Sequence, residues 1–187
     1  MDRQQATDAE LVLQLKNGIM SAGAALYERH KLPVYAFCLR MTGDPASAQD
    51  AAQEAFLKML SRIHTVEHGI TLRSWLFSTA RNEILMVLRR KRTVPMGPLE
   101  EAEEVYDPGN PFISMAEKEF SSHLHDAVQC LKPAYREVYL LRDVEGLPYN
   151  EIAVITGTSL SAVKSKIFKS RAAICEMLAP FMKEDTP

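Results

Sequence analysis

Apolar positions recur every three or four residues along almost the whole chain, and strict two-residue alternation is nearly absent. That 3.6-residue period predicts an all-α protein. Asp8 precedes the apolar run Leu11, Val12 and Leu15, which predicts a first helix capped by Asp8 and ending near Gly18. A second helical run extends from about Ser21 to Thr42 and carries Leu26, Tyr27, Val34, Cys38, Leu39 and Met41. Pro33 within it predicts a kink or a division, because proline lacks an amide donor and crowds the preceding turn. "GDPAS" closes that run, with Asp44 placed to cap a third helix and Pro45 at its first position. The third helix, to about His64, should bury Ala48, Ala52, Ala55, Phe56, Met59 and Ile63. After the loop "TVEHGIT" a fourth begins near Ser74, carries Trp75, Phe77, Ala80, Ile84, Val87 and Leu88, and ends in "RRKR".

The periodicity lapses from Thr93 to about Ser114. "TVPMGPLEEAEEVYDPGNPF" holds Pro95, Pro98, Pro108 and Pro111 with the acids Glu100, Glu101, Glu103, Glu104 and Asp107, the composition of an extended tether. Helical pattern returns at Met115 and runs to about Phe181. The expected organisation is two small helical domains, 1–93 and 115–181, joined by a flexible acidic, proline-rich linker over 94–114 and followed by a disordered tail over 182–187. Domains this small bury limited cores, so each should be a bundle of three or four helices.

The second domain contains "NEIAVITGTSLSAVKSKIFKSRA", from Asn150 to Ala172, where helical pattern breaks once at a glycine and resumes with lysines. Tyr149 to Ile155 predicts a short helix whose start is set by Asn150 or the preceding proline. Gly157 can take the left-handed conformation of a tight turn, Ala153 permits close approach of two helices, and Val163 can fill the angle between them. These are the steric requirements of a helix-turn-helix. Ser159 or Thr158 can cap the second helix, and Ile167 continues its buried stripe. Its outer face carries Ser161, Lys164, Ser165, Lys169 and, further on, Arg171: hydroxyls near the start for base edges or phosphates, then cations for the backbone. A solvated bundle face is the plain alternative for the same lysines.

Composition narrows the function classes. The chain has 187 residues, 47% hydrophobic and 25% charged, with a formal net charge of −2 that neither requires nor excludes a nucleic-acid partner. No apolar run approaches the roughly 20 residues that span a bilayer, and "MDRQQATDAE" lacks a signal-peptide core, so no membrane insertion and a cytoplasmic location are expected. Cys38, Cys130 and Cys175 are widely spaced and read as reduced thiols. "HLHDAVQC" brings His123, His125 and Cys130 together in sequence, yet residues two apart on a helix do not face each other, so no metal is expected. No cofactor motif is present: there is no phosphate-binding glycine loop, GxSxG or HExxH, so no catalytic residues are assigned.

"DPASAQDAAQEAFLKML" followed by "RSWLFSTARNEILMVLRRKR" resembles the second region of extracytoplasmic-function sigma factors. "LKPAYREVYLLRDVEGLPYNEIAVITGTSLSAVKSKIFKSRAAI" resembles their fourth region over its whole length. The resemblance implies a non-catalytic subunit that binds RNA polymerase core, directs it to promoter DNA and assists opening, held inactive by an anti-sigma factor. Asp50, Gln53, Glu54 and Leu57 share one helix face, and the matching family positions dock on the polymerase clamp. The resemblance assigns the strip Ser74, Ser78, Arg81, Asn82, Leu85 and Arg89, with the loop from His68 to Arg73, to the start-proximal promoter element, where one base leaves the stack. Trp75 and Phe77 could stack bases, but both fall on the apolar side and read as core. It assigns Ser159, Ser161, Lys164, Ser165, Lys169 and Arg171 to the upstream element, and gives the acidic linker either a threading role in polymerase or that of a solvated tether. The chain departs from the family at Met86 and Val87, where an acid and a polar residue are usual. Two readings compete with this one: a stand-alone helix-turn-helix regulator on duplex operator DNA, and a hydrolase.

Overall fold

Among the described residues every regular element is helical, as the periodicity requires. The computed structural model describes residues 6–66, 71–93 and 115–181. The segments read above as linker and tail, and residues 67–70 of the loop before the fourth helix, lie outside them. The chain divides into two compact units, Met1–Glu103 and Glu104–Pro187.

The first unit packs α1 (Asp8–Lys16), α2 (Met20–Thr42), α3 (Pro45–Arg62) and α4 (Leu72–Thr93), with a 3₁₀ turn over Ile63–Thr65. Asp44 accepts the Ser47 amide and Pro45 opens α3, so that boundary forms as the local sequence dictates. Three boundaries differ from expectation. The cap of α1 is Thr7, which forms a reciprocal capping box with Glu10 and frees Asp8 for other partners. Helix α2 runs unbroken through Pro33, which the burial of Val34, Phe37 and Cys38 immediately beyond it outweighs. Helix α4 starts at Leu72, because the Thr71 hydroxyl accepts the Ser74 amide.

Packing follows side-chain size. Ala48, Ala51, Ala52 and Ala55 line the buried face of α3 and let it lie close on α2. Leu26, Val34 and Phe37 of α2 meet Met59 of α3 and Leu76, Phe77 and Ile84 of α4 in one fully buried core. Phe37 and Phe77 stand edge to face at 5.3 Å. Gly23 of α2 sits where three helices converge: a Cβ there would meet Leu60 of α3 at 3.0 Å and Leu15 of α1 at 3.3 Å.

The second unit comprises α5 (Met115–Cys130), α6 (Pro133–Tyr139) continuing into a π-helical turn over Leu140–Val144, α7 (Tyr149–Thr156) and α8 (Leu160–Leu178). Helix α8 is the central element and contacts α5, α6 and α7. Its stripe Val163, Ile167, Ile174 and Leu178 is buried, as are Val138 of α6, Leu141 of the turn and Ile152 of α7. His123 of α5 stacks on Phe181 at 3.8 Å.

Burial separates the thiols. Cys38 is fully buried near the end of α2, and desolvation pushes its thiol up to about 12, whereas Cys130 and Cys175 are exposed. Iodoacetamide at pH 8 should therefore alkylate Cys130 and Cys175 in the native protein and reach Cys38 only in denaturant, as read by peptide mass. Equal rates at all three would mean that the inner face of α2 is open. Phe77→Ala should destabilise the first unit by about 3–5 kcal/mol in chemical denaturation, the usual cost of emptying an aromatic core site.

Candidate functional site

The helix-turn-helix forms through local chemistry. Gly157 ends α7 at φ +63, and the Thr158 amide reaches back to the Ala153 carbonyl at 3.1 Å, which closes the helix end. Pro148 sets the start of α7. Ser159 is the cap of α8: its hydroxyl accepts the Ala162 amide at 3.2 Å and lies 3.3 Å from the Ser161 hydroxyl. Ser159 thus has a structural task besides any contact with DNA. Val163 is fully buried in the angle between α7 and α8.

The opposite face of α8 is open. Ser161, Lys164, Ser165 and Lys169 are all exposed, and Phe168 stands between them with 74% of its surface in solvent. Sequence reading passed over Phe168, although its signal was present: it lies four residues after Lys164 and off the Val163–Ile167 stripe. Arg171 differs from the lysines. Its guanidinium embraces Asp143 of the π-helical turn, with Nη2 at 2.6 Å and Nε at 3.1 and 3.2 Å from the carboxylate oxygens, and this bond holds the guanidinium pKa above its usual value. Arg142 lies over the Tyr149 ring at 4.8 Å beside it.

In the first unit, Ser78, Arg81, Asn82, Leu85 and Arg89 follow one another along the accessible side of α4. Ser74 does not join them. It is only 3% exposed, and its hydroxyl accepts from Thr71 at 3.0 Å, so it serves the helix start. Arg73 lies over the Phe77 ring at 5.8 Å. Phe77 is core, as expected, but Trp75 is only half-buried. It lines a polar groove of about 330 Å³ between α3 and α4, with Arg62, Thr65, Ser78, Thr79 and Asn82. Lys58 crosses one end of this groove, 2.6 Å from Glu83 on α4 and 3.5 Å from Glu54 on its own helix, and the Glu83 bond raises its pKa. Met86 is exposed and Val87 half-buried, so the departure at these positions adds apolar surface to α4.

Asp50, Gln53 and Leu57 are exposed on α3, and Glu54 is half-exposed beside Lys58. Gln53 and Leu57 line a second, largely apolar groove of about 750 Å³ whose other wall is α2, with Met20, Tyr27, Leu32 and Tyr35. Sequence reading found only the α3 wall. Periodicity marks residues such as Tyr27 as core, and only packing reveals that Tyr27, edge-on to Phe56 at 4.9 Å, remains 45% exposed. A groove of this size with large apolar groups in its walls suits an amphipathic helix.

The described residues form two helical units, one with a helix-turn-helix and one with a polar strip beside an apolar groove. Comparison with known proteins identifies it further. Sigma-70 region 2 matches residues 26–94, and Sigma-70 region 4 matches residues 122–174. The RNA polymerase sigma-H factor of Pseudomonas aeruginosa is 28% identical over 191 residues, covering 96% of this chain and 98% of that protein. The ECF RNA polymerase sigma factor BldN of Streptomyces coelicolor is 30% identical over 181 residues, covering 95% of this chain and 68% of its own length. The sigma factor RpoE of Bartonella quintana, solved with the anti-sigma factor NepR, superposes with a TM-score of 0.67 at 22% identity, covering 83% of this chain and 96% of that one. The chain belongs to the extracytoplasmic-function family of RNA polymerase sigma factors. It is an alternative sigma factor: a non-catalytic transcription-initiation subunit that binds polymerase core and promoter DNA. The stand-alone regulator and the hydrolase are set aside.

The Arg171–Asp143 pair generates a test of its own. Arg171→Ala and Asp143→Ala should each lower the stability of the second unit by about 0.5–1 kcal/mol, and a double-mutant cycle should recover most of that as coupling. The salt slope of duplex binding should stay unchanged for Arg171→Ala, since a guanidinium held by a carboxylate releases no phosphate counterion. A fall of about one unit would instead assign Arg171 to the backbone.

Proposed function

We propose that the three faces divide the work of initiation. The α2–α3 groove docks on polymerase core, with Leu57 as its apolar anchor and Asp50 and Gln53 as a polar rim for a basic partner helix. The α4 strip and its polar groove take the start-proximal element as a separated strand: Ser78 and Asn82 offer hydrogen bonds, Arg73, Arg81 and Arg89 offer charge, and Trp75 offers a stacking surface to an unstacked base. The groove lies at the lower end of the roughly 300–1,000 Å³ usual for small-ligand pockets, room for one flat heterocycle. Opening then draws on binding differences alone: a base held by Trp75 and Asn82 exists only in the separated strand.

The outer face of α8 reads the upstream element in the major groove, and its exposure opposite a sealed apolar stripe is the observation that carries the proposal. Ser161, Lys164 and Ser165 stand in the first turns, which reach base edges. Phe168 offers an apolar contact to a thymine methyl, and Lys169 meets phosphate. Ser159 adds its remaining hydroxyl capacity beside its capping bond. These tasks place the protein in the cytoplasm with the polymerase. They also make its exposed apolar groove a surface to be covered before activation. The Bartonella quintana sigma factor of like fold was solved in complex with an anti-sigma factor, and a helical anti-sigma protein filling the α2–α3 groove is the corresponding partner here.

Co-purification with bacterial polymerase core followed by promoter-directed transcription tests the whole assignment. Leu57→Asp, which adds a charge at an exposed site, should weaken core binding by about 2 kcal/mol or more without loss of helix content. Unchanged affinity would remove the groove from the interface. On α8, Lys164→Ala should cost about 1–3 kcal/mol on the preferred upstream element and relax discrimination there, whereas Lys169→Ala should weaken all sequences alike and lower the salt slope by about one unit. If both substitutions weaken every sequence equally, specificity lies with Ser161, Ser165 or Phe168.

A further inference from the structure

Helix α1 precedes the region 2 match, and nothing described so far gives it a task. It is nevertheless held at both ends. At its start Asp8 accepts from Arg29 at 2.5 Å and lies 2.7 Å from Nε2 of His30, a histidine buried in α2. Leu11 and Leu15 bury its inner face. At its end Lys16 reaches across to the first unit's reading side and donates its ammonium to the carbonyl of Val66 at 2.9 Å, a partly buried bond between residues 50 apart in sequence. Among the described residues Lys16 makes no ion pair with a carboxylate.

Val66 occupies a sensitive place. It follows the 3₁₀ turn Ile63–Thr65, is buried, and its amide closes the turn on the Ile63 carbonyl at 3.2 Å. Thr65, next to it, is a wall residue of the polar groove that also holds Trp75 and Asn82. The turn bond fixes the peptide before Val66 and the lysine fixes the one after it, so Val66 is pinned on both sides. This ties to α1 the end of the turn that carries Thr65, whose own hydroxyl donates to the Arg62 carbonyl at 2.7 Å.

We propose that Lys16 is a positioning residue for promoter reading: α1 is a strut, anchored on α2 by Asp8, that holds the turn bearing Thr65, a wall of the groove, at the spacing the start-proximal base requires. This rests on the groove being the base site proposed above. Lys16 touches no DNA in this scheme; it acts through the Val66 carbonyl.

The test uses holoenzyme transcribing a library of promoters randomised separately at the start-proximal and upstream elements, with sequencing of the transcripts. Lys16→Met keeps the length of the side chain and removes the donor. It should flatten the start-proximal preference about fivefold, the worth of one net hydrogen bond, while the upstream ranking and core affinity stay unchanged. Lys16→Arg, which keeps a donor, should restore most of the preference. Wild-type selectivity in Lys16→Met, or a loss shared equally by both elements and by core binding, overturns the strut. Asn82→Ala is the companion variant: if it leaves start-proximal preference intact, the groove is not the base site and both readings fail, whereas loss in Asn82→Ala with none in Lys16→Met defeats the strut alone.

Discussion

A bundle of three or four short helices can seal only one stripe of each helix, and the function of this protein lives on what remains outside. Helix α8 shows the constraint most directly. Val163, Ile167, Ile174 and Leu178 are sealed, which leaves Phe168 and the lysines facing solvent on a helix that cannot rotate without exposing its stripe. The burial that folds the unit is therefore also what turns this polar face outward. The same holds for α4, where Leu76, Phe77, Ala80 and Ile84 are buried and the strip from Ser78 to Arg89 is turned outward.

Small residues then decide how closely helices approach and which grooves form. The alanines of α3 bring it onto α2, and Gly23 admits Leu60 to a contact that a methyl group would crowd. Close approach at that level leaves Tyr27, Leu32 and Leu57 splayed on the outer rim, which is how an apolar groove of about 750 Å³ arises beside a well-packed core. Polar contacts refine the result without driving it. Lys58 spans α3 and α4 at the edge of the polar groove, and Arg171 ties α8 to the turn before α7. Both are partly solvated, so their worth lies in orientation more than in stability.

Much of this was legible in the chain. The 3.6-residue period determined an all-helical fold, because a helix that lacks an apolar stripe finds no place in a core. "GDPAS" determined the start of α3 through Asp44 and Pro45, and the glycine of "TGTS" determined the turn of the helix-turn-helix, since both depend on groups within a few residues of one another. The motifs "DAAQEAF" and "SWLFSTAR", together with the helix-turn-helix block, point to the family.

What the sequence left open involves groups far apart along the chain. Local reading made Asp8 a cap, but a competing capping box at Thr7 released it to Arg29 and His30. Pro33 read as a kink or a division, and burial on both sides of it keeps α2 undivided. Ser74 read as a surface hydroxyl and is buried against Thr71; Trp75 read as core and lines a groove; Arg171 read as a phosphate contact and is engaged by Asp143. Periodicity says which side of a helix is apolar. How much of that side a neighbour covers, and which distant carboxylate or carbonyl a long cation reaches, are settled only when the helices pack, because those contacts join residues separated by tens of positions.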